Sequence, residues 1–206
     1  MSKVAVKCAP KESINWSKTS TDLKFIKSFQ VFTKSQGWRI VVSGGYGLDI
    51  LLGQITRTHN DVDIIIYGQD HREVILPKIT NFLSSSIQRA TLEITKNDFM
   101  VVIDLHSPGL GANIYYVQTS ENPFTNLNKI IKQNGEAITN TEKRFPGPVE
   151  GLLGDIHIDV QNPHTHLADI LFKQRTLTHK PTHDQDIANL RQITDTARVD
   201  EILSLS

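Results

Sequence analysis

Hydrophobic and polar positions along the chain alternate between a helical and an extended period. From residue 22 to about residue 35, Leu23, Phe25, Ile26, Phe29, Val31 and Phe32 recur mostly at helical spacing. Asp22, after Ser20 and Thr21, is placed to cap that helix, and Gly37 ends it. Residues 38–42 read as a buried strand, broken by Ser43-Gly44-Gly45, and residues 46–52 start a short helix. A second buried strand covers 62–67. A helix follows over 70–84 with Val74, Ile75, Ile79, Phe82 and Leu83 on its inner face, and Pro77 within it implies a kink or a late start. Strands are expected over 90–95, 99–105 and 112–118, the last two punctuated by Gly109 and Gly111. Residues 155–160 alternate as a half-exposed strand does. Helices are expected from Pro163 through Lys173, over 183–193 and over 198–203. Residues 1–20 look irregular. Residues 120–148, divided by Pro123, Gly135, Pro146 and Pro148, carry no legible element. The pattern predicts a mixed α/β fold with a core over 20–120. A C-terminal extension over 121–206, one strand followed by helices, would complete the substrate site.

Composition narrows the function classes. The 206 residues hold 22 Lys and Arg against 22 Asp and Glu, and this neutral balance argues against an extended nucleic-acid track. A small basic pocket for a triphosphate needs only a few residues and stays open. Hydrophobic residues make up 38%, enough for a folded core. Cys8 is the only cysteine, so neither an intrachain disulfide nor a cysteine-rich zinc site can form. No apolar run is long enough to span a bilayer or to serve as a signal peptide. A cytoplasmic protein without a membrane partner is the expectation.

The chemistry is concentrated in two short stretches. Asp61 and Asp63, separated by one residue at the entrance of a strand, point to one face because side chains alternate with period two. Such a pair suits Mg2+, which takes carboxylate oxygens together with phosphate oxygens and water. Two Mg2+ ions can activate an attacking hydroxyl and stabilise a leaving pyrophosphate. Gly44 and Gly45 permit close backbone approach to a ligand, and the amides opening the next helix offer a phosphate cradle. A glycine pair after a strand is commonly a plain turn, and Asp-X-Asp at a strand edge is commonly solvated. The order strand, Gly-Gly, short helix, Asp-X-Asp, apolar strand is far more specific than either half.

The runs Ser43-Gly44-Gly45-Tyr46-Gly47-Leu48-Asp49 and Arg57-Thr58-His59-Asn60-Asp61-Val62-Asp63-Ile64 resemble the minimal nucleotidyltransferases of the polymerase-beta superfamily. They are most similar to the aminoglycoside and lincosamide nucleotidyltransferases, with Tyr46 where that group has tryptophan. The resemblance covers about residues 38–107 and is fainter beyond. It implies a nucleotidyltransferase palm, a mixed sheet flanked by helices. It also implies Mg2+ dependence and transfer of a nucleoside monophosphate, AMP from ATP foremost, to a hydroxyl of a small acceptor such as an aminoglycoside or lincosamide antibiotic.

The same resemblance marks Asp104, in Val101-Val102-Ile103-Asp104-Leu105-His106, as a third carboxylate, acting as metal ligand or as base. Glu93 and Asp98 are nearby competitors. His106 shares the face of Asp104. Ser43, Gly44, Gly45, Arg57 and His59 are candidate triphosphate contacts, arginine because its fork suits phosphate. Lys173 joins them from the C-terminal part, where His183 stands in place of the usual lysine. Asp49 is expected to cap or pair locally, and Asp184 and Asp186 to favour a helix N-terminus. Asp155, His157 and Asp159 share one strand face, which is metal-ligand spacing but also ordinary alternation. Glu121, Glu136, Glu142, Glu150 and Asp155 offer negative charge for a cationic acceptor. Two other functions fit the same residues: nucleotidylation of a protein partner, as antitoxin-like relatives do, and nucleotide binding without catalysis.

Overall fold

Seven strands hydrogen-bond into one mixed sheet in the computed structural model, which describes residues 6–96, 100–118, 129–131, 137–139, 147–176 and 180–204. In chain order the first half contains α1 (Trp16–Ser35), β1 (Arg39–Ser43), α2 (Gly44–Leu52), β2 (Val62–Gly68), α3 (Arg72–Ser86), β3 (Thr91–Lys96), β4 (Met100–Ser107) and β5 (Leu110–Gln118). The second half contains β6 (Lys129–Ile131), β7 (Ala137–Thr139), β8 (Val149–Leu153), β9 (Ile156–Val160), α4 (Pro163–Thr176), α5 (Pro181–Leu190) and α6 (Thr196–Leu203). The sheet order is β3-β4-β5-β2-β1-β9-β8, with β6 and β7 forming a separate antiparallel pair. β2 runs parallel to β5 and antiparallel to β1. The sheet is therefore mixed, as the family resemblance implied.

One face of this sheet is closed. Val62, Ile64 and Ile66 of β2, with Ile103 and Leu105 of β4 and Ile114 of β5, pack against Phe25, Ile26 and Phe29 of α1 and Ile75, Ile79 and Leu83 of α3. The alternate residues of the same strands, among them Asp63, Asp104, Asn113 and Tyr115, are only partly covered. Strand alternation thus assigns one set of side chains to the core and the other to an accessible surface.

Several boundaries differ from the expectation. α1 starts six residues before Asp22, because Asn15 caps it by accepting from the backbone N–H of Lys18 (3.0 Å). Asp22 is inside the helix and fully buried, so it is not a cap. Pro77 lies within α3 rather than at its start. Residues 149–160, read as part of the C-terminal extension, add β8 and β9 to the edge of the core sheet beside β1. β8 went unrecognised because Gly151 interrupts its pattern; a Cβ there would meet Ile50 Cγ2 at 2.7 Å. Asp98, Glu121, Glu136 and Glu142 lie outside the described residues.

The C-terminal helices form a second core of Leu167, Ala168, Ile170, Ile187, Leu190, Val199 and Ile202, completed by Leu48 of α2. α2 therefore touches both cores, with Tyr46 and Ile50 in the first and Leu48 in the second. Such a position requires apolar side chains on more than one side of the helix, which Tyr46, Leu48 and Ile50 provide. Among the described residues no helix is long and apolar enough to cross a membrane.

Candidate active site

Ser43, Asp63, Asn113, Asp104 and Glu93 stand in one cross-strand row over β1, β2, β5, β4 and β3. Directly paired residues share a sheet face, so this row runs across the accessible surface. Asn113 joins the two motif carboxylates: its Nδ2 donates to Asp63 Oδ1 (3.0 Å) and to Asp61 Oδ2 (3.1 Å). Asp61 precedes β2 and lies over Gly111, which has no side chain to obstruct it. Burial pushes the Asp63 carboxyl above the usual carboxylate range. Asn113 opposes that shift, and the charge of Asp61 adds to it. Two carboxylates held together against their own repulsion fit a divalent cation, which would relieve both burial and repulsion.

Asp104 is one strand farther away, beyond Asn113. Among the described residues no three His, Cys, Asp or Glu side chains form a group that could hold a metal ion. The arrangement is a carboxylate pair with a third carboxylate on the far side of Asn113.

The glycines have a steric reason. Gly44 adopts φ +60°, and a Cβ there would overlap the Asp63 carboxylate. A Cβ on Gly45 would overlap the imidazole of His59. That ring is buried and fixed by Asp49, whose Oδ2 lies 2.7 Å from His59 Nε2. Asp49 also accepts from Thr56 through the backbone N–H (3.1 Å) and Oγ1 (2.6 Å). The imidazole also lies against Tyr46, with ring centroids 4.4 Å apart. Tyr46 in turn donates its hydroxyl to Asp22 Oδ2 (2.6 Å), which also receives Lys18 Nζ (2.7 Å). Burial first, then the Asp22 bond, keeps that phenol protonated. The tyrosine is thus more than an aromatic stand-in for tryptophan, because its hydroxyl donates to one oxygen of a buried carboxylate.

Two candidate triphosphate contacts are committed elsewhere. His59 faces inward beneath the glycine turn and supports it. Arg57 grips Asp186 of α5 with Nε (3.2 Å) and Nη2 (2.7 Å), and its Nη1 donates to the Thr58 carbonyl (3.2 Å). Asp186 is therefore a partner for Arg57 rather than simple helix-end charge. Lys173 Nζ lies 2.7 Å from Asp169 Oδ2 on α4, in a solvent-accessible pair. The charges of both bear on Asp63, in opposite senses. Ser43 ends β1 opposite Asp63, and its side chain makes no capping bond to α2. Around β9, toward the other edge of the sheet, Asp155 pairs with Lys27, Asp159 with Arg39 (2.9 Å) and His157 with Glu150 (3.5 Å). These three residues are held apart by separate partners.

The family model described as aminoglycoside-2''-adenylyltransferase matches residues 26–142, a span that contains the glycine turn, Asp61, Asp63 and Asp104. The chain belongs to that family. It is accordingly a nucleotidyltransferase. The fold agrees. The crystal structure of the lincosamide antibiotic adenylyltransferase LnuA with lincomycin bound is 19% identical with a TM-score of 0.61, covering 84% of this chain and 97% of that one. The complex of ANT(2'')-Ia with adenylyl-2''-tobramycin is 13% identical with a TM-score of 0.62, covering 89% and 95%. An antigenic nucleotidyltransferase-like protein from Paracoccidioides brasiliensis is 15% identical with a TM-score of 0.51, covering 90% and 87%. No curated protein sequence matches.

The candidate site includes residues that the sequence motifs do not mark. Asn113 had one legible signal, an asparagine within an apolar strand where its type is disfavoured. Asp169 had none, and Asp186 was legible only as helix N-terminal charge, because the partners of both depend on how α4 and α5 dock. His166, on α4, is fully buried, and burial depresses its pKa from 6.5 to about 4. The unfolded chain therefore binds a proton near pH 6.5 that the folded enzyme refuses until about pH 4. Its contribution to stability is complete above 6.5 and is lost as pH falls from there toward 4. Thermal melts across that interval should show this slope, and His166→Gln should flatten it.

The Arg57–Asp186 pair ties the loop preceding Asp61 to the C-terminal helices. Asp186 is only 4% exposed, so Arg57→Ala leaves a buried charge uncompensated and should cost about 3 kcal/mol. Denaturant melts test this. The double variant Arg57→Ala/Asp186→Ala should lose less than the sum of the two single losses.

Proposed function

We propose that this enzyme transfers the nucleoside monophosphate of a nucleoside triphosphate, ATP foremost, to a hydroxyl of a small antibiotic of the aminoglycoside or lincosamide type. The observation that carries the proposal is the cross-strand row, in which the Asp61–Asp63 pair lies between the glycine turn on one side and Asp104 on the other. Asp61 and Asp63 would hold Mg2+, two ions in this reading, which when bound draw charge from the phosphates and the leaving group. The open amides at the start of α2 would receive phosphate oxygens. Asp104 would take the proton from the acceptor hydroxyl, whose oxygen attacks the α-phosphorus. The bond to the bridging oxygen then breaks, and pyrophosphate leaves. Asparagine cannot accept that proton, which favours Asp104 over its neighbour Asn113 as base. Positioning and fixed charge supply most of the rate.

The test is incubation of the purified chain with α-labelled ATP, Mg2+ and either lincomycin or tobramycin. Labelled antibiotic and released pyrophosphate are expected. Absence of label on either acceptor, together with no triphosphate binding, would overturn the reading. Label appearing on a polypeptide would shift it to the protein-acceptor alternative.

A further inference from the structure

β5 places a second polar side chain on the face of the site. Tyr115 follows Asn113 by two residues and so rises from the same side of the sheet, between Ile65 of β2 and Val102 of β4 by register. It is half-buried. Its neighbour Tyr116 points into the core and donates to the Gly68 carbonyl at 3.0 Å. The Tyr115 hydroxyl makes no hydrogen bond among the described residues. Its oxygen is not among the enclosed polar atoms, so the hydroxyl is open to the site. A phenol that lacks a partner at the floor of an active site is available to a ligand.

The sheet order indicates which ligand. The glycine turn and α2 lie on the β1 side of Asp63, whereas β5 and β4, with Asp104, lie on the other. A triphosphate at the turn and an acceptor at Asp104 would therefore approach Asp63 from opposite sides, and Tyr115 is on the acceptor side. We propose that the Tyr115 hydroxyl donates a hydrogen bond to an oxygen of the acceptor, such as a sugar or polyol provides, and so positions its reacting hydroxyl against Asp104. Burial, and then the charges of Asp63, Asp104, Asp61 and Asp169, keep the phenol protonated, which makes it a donor and not a nucleophile.

This inference rests on nucleotidyl transfer to a small acceptor, and the experiment separates the two. Tyr115→Phe in the full chain loses no internal hydrogen bond, so its melting temperature should match the wild type. With lincomycin or tobramycin, whichever the wild type labels, the acceptor KM should rise about tenfold, the usual range for one lost hydrogen bond. The KM for ATP should stay unchanged, and kcat should change by less than the acceptor KM. An unchanged acceptor KM, or a rise in the KM for ATP, overturns the role of Tyr115 while leaving transfer intact. If the wild type labels neither antibiotic, small-acceptor transfer itself fails and the role of Tyr115 falls with it.

Discussion

Asp63→Asn will abolish nucleotidyl transfer and leave the protein at least as stable as the wild type. The amide oxygen of the new side chain can still accept from Asn113, so the fold keeps that bond, but the carboxylate that would share a cation with Asp61 is gone. Charge stabilisation of this kind is worth several kcal/mol, and about 1.4 kcal/mol is a factor of ten. A fall of about a thousandfold or more in kcat/KM is expected. Stability moves the other way. The folded-state pKa of Asp63 is raised, so between the unfolded and folded values the native state holds more protons than the unfolded chain. Stability therefore declines as pH rises through that interval, and at neutral pH the ionised carboxylate is a net burden. The variant should melt no lower than the wild type at pH 7. A lower melting temperature, or retained activity, would contradict the assignment.

Gly45→Ala is expected to have the next largest effect, with Gly44→Ala close behind. The Cβ added at position 45 would overlap an imidazole that Asp49 and Tyr46 prevent from yielding. Overpacking of this kind costs about 1–3 kcal/mol. It also displaces the start of α2 relative to Asp63, and a displacement of about 1 Å can cost a hundredfold in rate. Gly44→Ala adds a side chain at φ +60°, costing roughly 1–2 kcal/mol, and pushes on the Asp63 carboxylate itself. Denaturant melts and kcat/KM measured together check both variants. The double variant Gly45→Ala/His59→Ala should lose less than the sum of its single losses, because removing the ring makes room for the new methyl. Strict additivity would show that His59 does not support the turn.

The legible part of this enzyme is local. The boundary at Gly44, the strand after Asp61 and the shared face of Asp61 and Asp63 follow from periodicity and turn chemistry, and β4 and β5 are visible as apolar runs. Tyr46 shows where that reading fails. As a sequence position it passes for a neutral aromatic exchange, yet its hydroxyl reaches Asp22, 24 residues earlier in the chain. Arg57 and His59 have long-range partners of the same kind. Both carry donors suited to phosphate, but Asp186 and Asp49 engage them first, and neither pairing has a spacing that a linear pattern records.

What the sequence determined by itself is therefore the type of chemistry. A carboxylate pair one residue apart at a strand entrance, after a glycine turn, is specified by residue type and period-two geometry alone. Tertiary structure decided which of the remaining groups are brought together. The parallel pairing of β2 with β5 puts Asn113, and not Asp104, beside Asp63. The docking of α4 and α5 through Leu48 brings Asp169 and Lys173 within electrostatic reach of Asp63 and Asp186 onto Arg57. Strand order and helix docking are set by burying two apolar cores at once. That is a property of the whole chain, and no single motif encodes it.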